Sequence, residues 1–132
     1  MLTPEDRLAI TDLINLHGHL ADRGDFDGLH TLFAEGVIYD VSALGGGVLV
    51  GLSAYREAAL ALGEANPVAH HVTNIVVDEA PDGTVHVVSK GLGVMAGGSF
   101  GSVTYEDSVE RAVGGWRITR RVVRPRREPL RP

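Results

Sequence analysis

Histidines and carboxylates are the side chains in this sequence best suited to move protons. An imidazole exchanges its proton near neutral pH, and a neighbouring carboxylate can fix its tautomer and steady its charged form. Four sets of residues qualify. His17 falls inside an apolar stripe at helical spacing, where it is either a core histidine with one satisfied nitrogen or a donor or acceptor lining a pocket. Asp22 falls at the end of the same stretch, just before Gly24 and Asp25. A carboxylate there meets the negative end of the helix dipole, so a histidine partner would explain it; otherwise it is a surface carboxylate beside Arg23. His70 and His71 open a strand-like segment. Neighbours on a strand point to opposite faces, so only one can reach an enclosed site, and the pair cannot share a metal ion. No third ligand lies nearby, so no metal site is expected. Tyr39, Tyr105, Asp107 and Arg124 lie on strand-like segments, as half-buried sheet residues or as contacts to a bound molecule.

Other chemistries lack their parts. Without cysteine there is no thiolate nucleophile, disulfide or iron–sulfur site. The sole lysine is Lys90, and no phosphate-cradling glycine loop precedes it. A nucleophile elbow and a dinucleotide fingerprint are both missing. The run Gly97-Gly98-Ser99-Phe100-Gly101 reads as a hairpin turn. No cofactor is expected.

The elements that must position these residues follow from punctuation and periodicity. Thr3, Pro4 and Asp6 form a helix start, with Thr3 as cap and Asp6 as the returning carboxylate. Ile10, Leu13, Ile14, Leu20 and Ala21 fit one helical face, and Gly24 stops it, predicting a helix over 4–23. Asp25 can cap a second helix carrying Phe26, Leu29, Leu32 and Phe33. A short strand over 37–41, a turn at Gly45-Gly46-Gly47 and a returning strand over 48–50 come next. Ser53 can cap a third helix over about 54–65, which ends before Asn66-Pro67. Four strands complete the chain: His71 to Val77, Val85 to Met95, Phe100 to Val113 and Trp116 to Val123. Helices first and long antiparallel strands after predict an α+β domain, with three amphipathic helices covering one face of a curved, cone-shaped sheet and leaving an open mouth.

With 132 residues, 44% of them hydrophobic and 22% charged, the chain has the size and mixture of one domain. The domain is expected over 1–125, with an Arg/Pro-rich tail over 126–132. Net charge is −5. Residues 1–110 hold four basic against sixteen acidic side chains, whereas residues 111–132 hold eight arginines against Glu128 alone. The acidic body would repel phosphates, so nucleic acid is not an expected partner despite the basic end. The tail is expected to pair with the acidic body or with a neighbouring subunit. No segment approaches the ~18 apolar residues a membrane span needs, and no basic stretch leads into an apolar one at the start. The expected location is the cytoplasm.

The segments Asp6-Arg7-Leu8-Ala9-Ile10-Thr11-Asp12-Leu13-Ile14, Ala21-Asp22-Arg23-Gly24-Asp25-Phe26-Asp27-Gly28-Leu29 and His70-His71-Val72-Thr73-Asn74 resemble the SnoaL-like group of the nuclear transport factor two superfamily. Leu32-Phe33-Ala34, Gly51 with Ala54-Tyr55, Tyr105-Glu106-Asp107 and Gly115-Trp116-Arg117-Ile118 extend the resemblance over nearly the whole chain. It implies a cone of curved sheet with three helices, and a homodimer or homotrimer. The pattern is nearest to the scytalone dehydratase and bile acid dehydratase subgroup. There, an Asp after the first helix and a His opening the third strand form a dyad, which fall here at Asp22 and His71. A family tyrosine one turn earlier falls at His17, and Arg124 falls near an arginine that follows the last strand. The middle-strand positions that carry further acids or histidines fall here near Gly91, Leu92, Gly93 and Val94. The resemblance therefore implies a cofactor-independent acid–base enzyme, a dehydratase, isomerase or cyclase. It would act on a lipophilic carbonyl or hydroxyl compound such as a polyketide, steroid or terpenoid. His71 would take or give the proton, Asp22 would hold its ring and tautomer, and His17, Tyr39, Tyr105 and Arg124 would contact the substrate. The alternative is a non-catalytic module that binds a small ligand or serves assembly.

Overall fold

A computed structural model describes residues 1–132. Helix α1 spans Pro4–Arg23, and its start is a complete capping box: the Thr3 hydroxyl accepts from the Asp6 N–H, and the Asp6 carboxylate accepts from the Thr3 N–H. Gly24 ends it in the left-handed region at φ 66°, which a side chain would resist. Strands β1 (Phe33–Asp40), β2 (Val48–Val50), β3 (Ala69–Glu79), β4 (Val85–Val94), β5 (Phe100–Ala112) and β6 (Gly115–Arg126) follow, with α2 (Leu52–Leu62) between β2 and β3. They form one sheet in the order β2-β1-β6-β5-β4-β3. All pairs are antiparallel except β1 with β6, which is parallel. The α+β reading and the curved sheet hold, and the one parallel pair makes the sheet mixed.

Two of the three expected helices need correction. The segment after Gly24 is not an α-helix but a five-residue 3-10 turn, Asp27–Thr31, with Asp25 accepting from the Gly28 N–H. Sheet pairing wins over helix extension here: Leu32 accepts a 2.7 Å hydrogen bond from the Ile118 N–H, and Phe33 registers against Ile118. The stripe of Leu29, Leu32 and Phe33 is buried all the same, through sheet rather than helix geometry. The later helix begins at Leu52 with Gly51 as its cap, so Ser53 lies inside the first turn and caps nothing. Its end tightens into a 3-10 turn at Gly63–Ala65. The β6 strand runs to Arg126, one residue into the expected tail.

The apolar core lies between α1 and the concave face of the sheet, around Ile10, Ile14, Leu29, Leu32, Phe33, Val37, Val87 and Ile118. One contact sets how close α1 comes to β3. A Cβ on Gly18 would sit 2.7 Å from the His70 carbonyl oxygen, a backbone atom that cannot swing aside. Glycine at mid-helix costs up to ~1 kcal/mol relative to alanine when nothing crowds it. Here the close approach reverses the sign. Gly18→Ala is expected to lower stability by ~1–3 kcal/mol, the cost of overpacking, and to lengthen the separation between α1 and the start of β3. Thermal denaturation checks the first effect. A Gly18→Ala protein as stable as the parent would contradict this account of the contact.

Candidate active site

Asp22 leaves the last turn of α1 and meets the start of β3. Both its oxygens accept from the His70 backbone N–H, at 3.1 and 3.0 Å, and Oδ1 lies 2.6 Å from His70 Nδ1. A carboxylate can only accept, so Nδ1 carries the proton and Nε2 is the basic nitrogen. Nε2 has no protein partner and is not sealed from its surroundings. The two side chains are 22% and 25% exposed, enough shelter to strengthen the pair and enough opening for a ligand.

His70, not His71, is therefore the histidine that Asp22 holds. In the β3–β4 register His70 pairs with Gly93 and His71 with Leu92, on alternate faces of the sheet. His71 is exposed on the outer face with Val76, Val88 and Leu92. The shift of one residue reverses the face, which is why the expected Asp22–His71 pairing fails.

Asp22 and His70 stand in the wall of a cavity of about 600 Å³, lined mostly by apolar and aromatic side chains that include Phe26, Leu49, Val103 and Val123. Tyr39 and Tyr105 line it, and Tyr55 from α2 joins them. Burial raises all three phenols above their ordinary value, Tyr55 to about 12, so each keeps its proton as a donor. Tyr55 had no chemical signal of its own in the sequence, since a tyrosine on a helix face is ordinary.

The other two expected contacts are misplaced. Arg124 points away from the cavity, where it pairs with Glu106 at 2.9 Å with both side chains half-exposed. The inward arginine is Arg121, fully buried and paired through Nε and Nη2 with Asp107 at 2.7 and 2.8 Å. His17 lies behind the cavity wall instead of in it. It is 1% exposed, its Nε2 is 3.5 Å from the Tyr55 hydroxyl, and its ring packs edge-on against Phe33 and Tyr105. No group of three or more potential metal-ligating side chains comes together.

Burial, then the charge of Arg121 and that of His70, pushes the His17 pKa well below its ordinary 6.5. A histidine depressed in the folded state binds its proton more readily when unfolded, so its contribution to stability is present above pH ~6.5 and is lost as pH falls toward the folded value. His17→Leu is therefore expected to flatten the acid limb of a stability profile measured by urea denaturation. An unchanged acid limb would assign that loss to other groups.

Comparison with known proteins agrees with this architecture. The SnoaL-like domain family matches residues 3–122. A solved structure from Novosphingobium aromaticivorans, provisionally assigned as an aromatic ring hydroxylase, is 30% identical with a TM-score of 0.79, covering 97% of this chain and 94% of that one. Aln2 from a Streptomyces species is 27% identical with a TM-score of 0.75, covering 95% and 94%. A further Novosphingobium aromaticivorans protein, described as NTF2-like with a cystatin-like fold, is 26% identical with a TM-score of 0.73, covering 92% and 82%. No functionally curated protein shows significant sequence similarity to the chain. The chain belongs to the SnoaL-like family, with the NTF2-like, cystatin-like fold. No helix is long and apolar enough to cross a membrane.

Proposed function

We propose that this protein is a cofactor-independent acid–base enzyme of the dehydratase, isomerase or cyclase kind, acting on a lipophilic carbonyl or hydroxyl compound such as a polyketide, steroid or terpenoid. The observation that carries this reading is the 2.6 Å pairing of Asp22 with His70 Nδ1 in the wall of a largely apolar cavity. His70 Nε2 removes a proton from a carbon beside a carbonyl, and Asp22 stabilises the imidazolium that results. The proton then returns to another carbon, or leaves with a departing hydroxide as water. Membership in a family that includes dehydratases and cyclases supports the same reaction class.

One feature favours the non-catalytic alternative: at Gly91 and Gly93 the middle of the sheet supplies no ionisable side chain to the cavity. A thermal-shift screen with polyketide-, steroid- and terpenoid-like ketones, followed by turnover assays of each hit, separates the two. Binding with conversion supports the enzyme. Binding without conversion of any hit replaces it with the ligand-binding module. Association into a homodimer or homotrimer is part of this proposal, supported by the exposed Val76, Val88 and Leu92 on the sheet's outer face. Sedimentation measures it, and a monomer at working concentration contradicts it.

A further inference from the structure

At the mouth of the cavity, beside the exposed Leu60 and Leu62, the surrounding backbone sorts the polar atoms of Asn66. Asn66 stands between the 3-10 turn after α2 and the start of β3, extended at φ −68° and ψ 143° as suits the residue before Pro67. Its side-chain nitrogen donates to the Ala59 carbonyl at 2.8 Å and to the Gly63 carbonyl at 2.9 Å, closing off the end of α2. Carbonyl oxygens only accept, so the nitrogen must face them, and both of its protons are used. The backbone is held as well. The Asn66 N–H donates to the Gly63 carbonyl at 3.1 Å, and the Val68 N–H donates to the Val94 carbonyl at 2.8 Å. Pro67 packs on β4, where a Cβ on Gly93 would sit 3.3 Å from its Cγ. Only Oδ1 is left over. Asn66 is half-buried and lines the cavity, and its Oδ1 has no protein partner and is not sealed away. The other polar side chains of the wall differ in kind: the phenols keep their protons, Asp22 is engaged with His70, and no second amide side chain lines the cavity. A fixed acceptor in a mostly apolar wall is matched by a ligand that brings a donor.

We propose that Asn66 Oδ1 is a specificity-determining acceptor, and that the cavity takes a hydroxylated carbonyl compound whose O–H donates to it. This rests on the acid–base reading and narrows its substrate class. It favours a hydroxylated aromatic ketone of the polyketide kind over a steroid or terpenoid ketone with hydrocarbon in that place. Hydrocarbon there would leave Oδ1 desolvated and unpaired, and an ether oxygen would set a second acceptor against it. The amide is held before any ligand arrives, so the contact costs little further ordering.

Binding of 1-tetralone, its 5-, 6- and 7-hydroxy derivatives and their methyl ethers to the full chain tests the acceptor without requiring turnover. The expected result is that, at one ring position, the hydroxy compound binds at least ~10-fold tighter than its methyl ether. In Asn66→Leu that preference should fall below ~2-fold while 1-tetralone binding persists. If that variant does not fold, the unaltered protein gives the answer. Its three asparagines are Asn15, Asn66 and Asn74, so carbon-13 labelling of asparagine yields one side-chain carbonyl signal for each. The Asn66 signal should move with the hydroxy compound and stay in place with its ether. A preference missing at every ring position overturns the proposal, as does one undiminished in Asn66→Leu or an Asn66 signal indifferent to the hydroxyl. His70→Ala keeps the two readings apart. It should leave the preference intact, and a preference lost there would place the hydroxyl on the dyad, overturning the acceptor while sparing the base. Absence of binding by every one of these compounds would overturn the acceptor and the ketone-binding cavity together.

Discussion

Asp22→Asn and His70→Ala are each expected to reduce turnover of any substrate found by ligand screening by ~10²–10⁴-fold, the usual contribution of a positioned general base. Binding in the cavity should persist in both variants, because the apolar wall is untouched. Asparagine is close to isosteric but uncharged. It can still accept from the His70 backbone N–H, yet it no longer stabilises the imidazolium, and its amide can present the wrong group to Nδ1. His71→Ala is the internal control. His71 is one residue along the same strand and on the opposite face, so its removal should change kcat by less than about twofold. Steady-state kinetics on the three variants, with ligand affinity measured separately, decides the matter. Full activity in both Asp22→Asn and His70→Ala would remove the dyad from the chemistry. Equal loss in His71→Ala would show a structural effect at the start of β3 instead of proton transfer.

The largest expected effect on stability belongs to the Asp107–Arg121 pair. Burial opposes the Arg121 charge, but Asp107 outweighs it, and the guanidinium stays protonated at any working pH. Arg121→Met leaves a carboxylate with 2% residue exposure and no cation beside it. Asp107→Leu leaves a guanidinium in the same position. Each single substitution is expected to cost ~3–5 kcal/mol, because it strands a buried charge. The two together should cost much less than their sum, since both desolvation penalties vanish and two apolar side chains can pack against Phe33 and Tyr105. Urea denaturation of the four proteins of this cycle measures the coupling. Additive losses would mean that the two groups do not depend on each other, contrary to the bidentate geometry.

The misassignment of the arginines shows where sequence reasoning stops. Eight arginines crowd the last 22 residues, and strict alternation from buried Ile118 would turn Arg120 and Arg124 inward. The β5–β6 register shifts between Ser108 and Val109, so that Ile118 and Arg120 become successive pairing partners. One extra residue reverses the parity of everything after it. Arg121 and Val123 therefore face the core, and Arg120 and Arg124 face outward. No local signal at Thr119 announces that irregularity. The bend in β3 is better marked: Asn74, the one non-glycine residue with positive φ, at 55°, falls where the β3–β4 register shifts, and asparagine tolerates that conformation better than most side chains.

By itself the sequence determined the order of the six strands and the places of α1 and α2, because caps, stops and turns are local chemistry. Thr3 with Asp6 starts α1, Gly24 ends it, and glycines close the hairpins. It also singled out Asp22 as a carboxylate in want of a partner, although the partner it named, His71, is replaced by His70 in the structure. Which imidazole Asp22 holds, which arginine is buried, and whether Leu32 and Phe33 extend a helix or enter a strand were decided only in the assembled sheet. Each of those choices depends on strand parity and on partners distant in the chain, such as Ile118 for Phe33, and a side chain's face is set by that pairing, not by its neighbours in the chain.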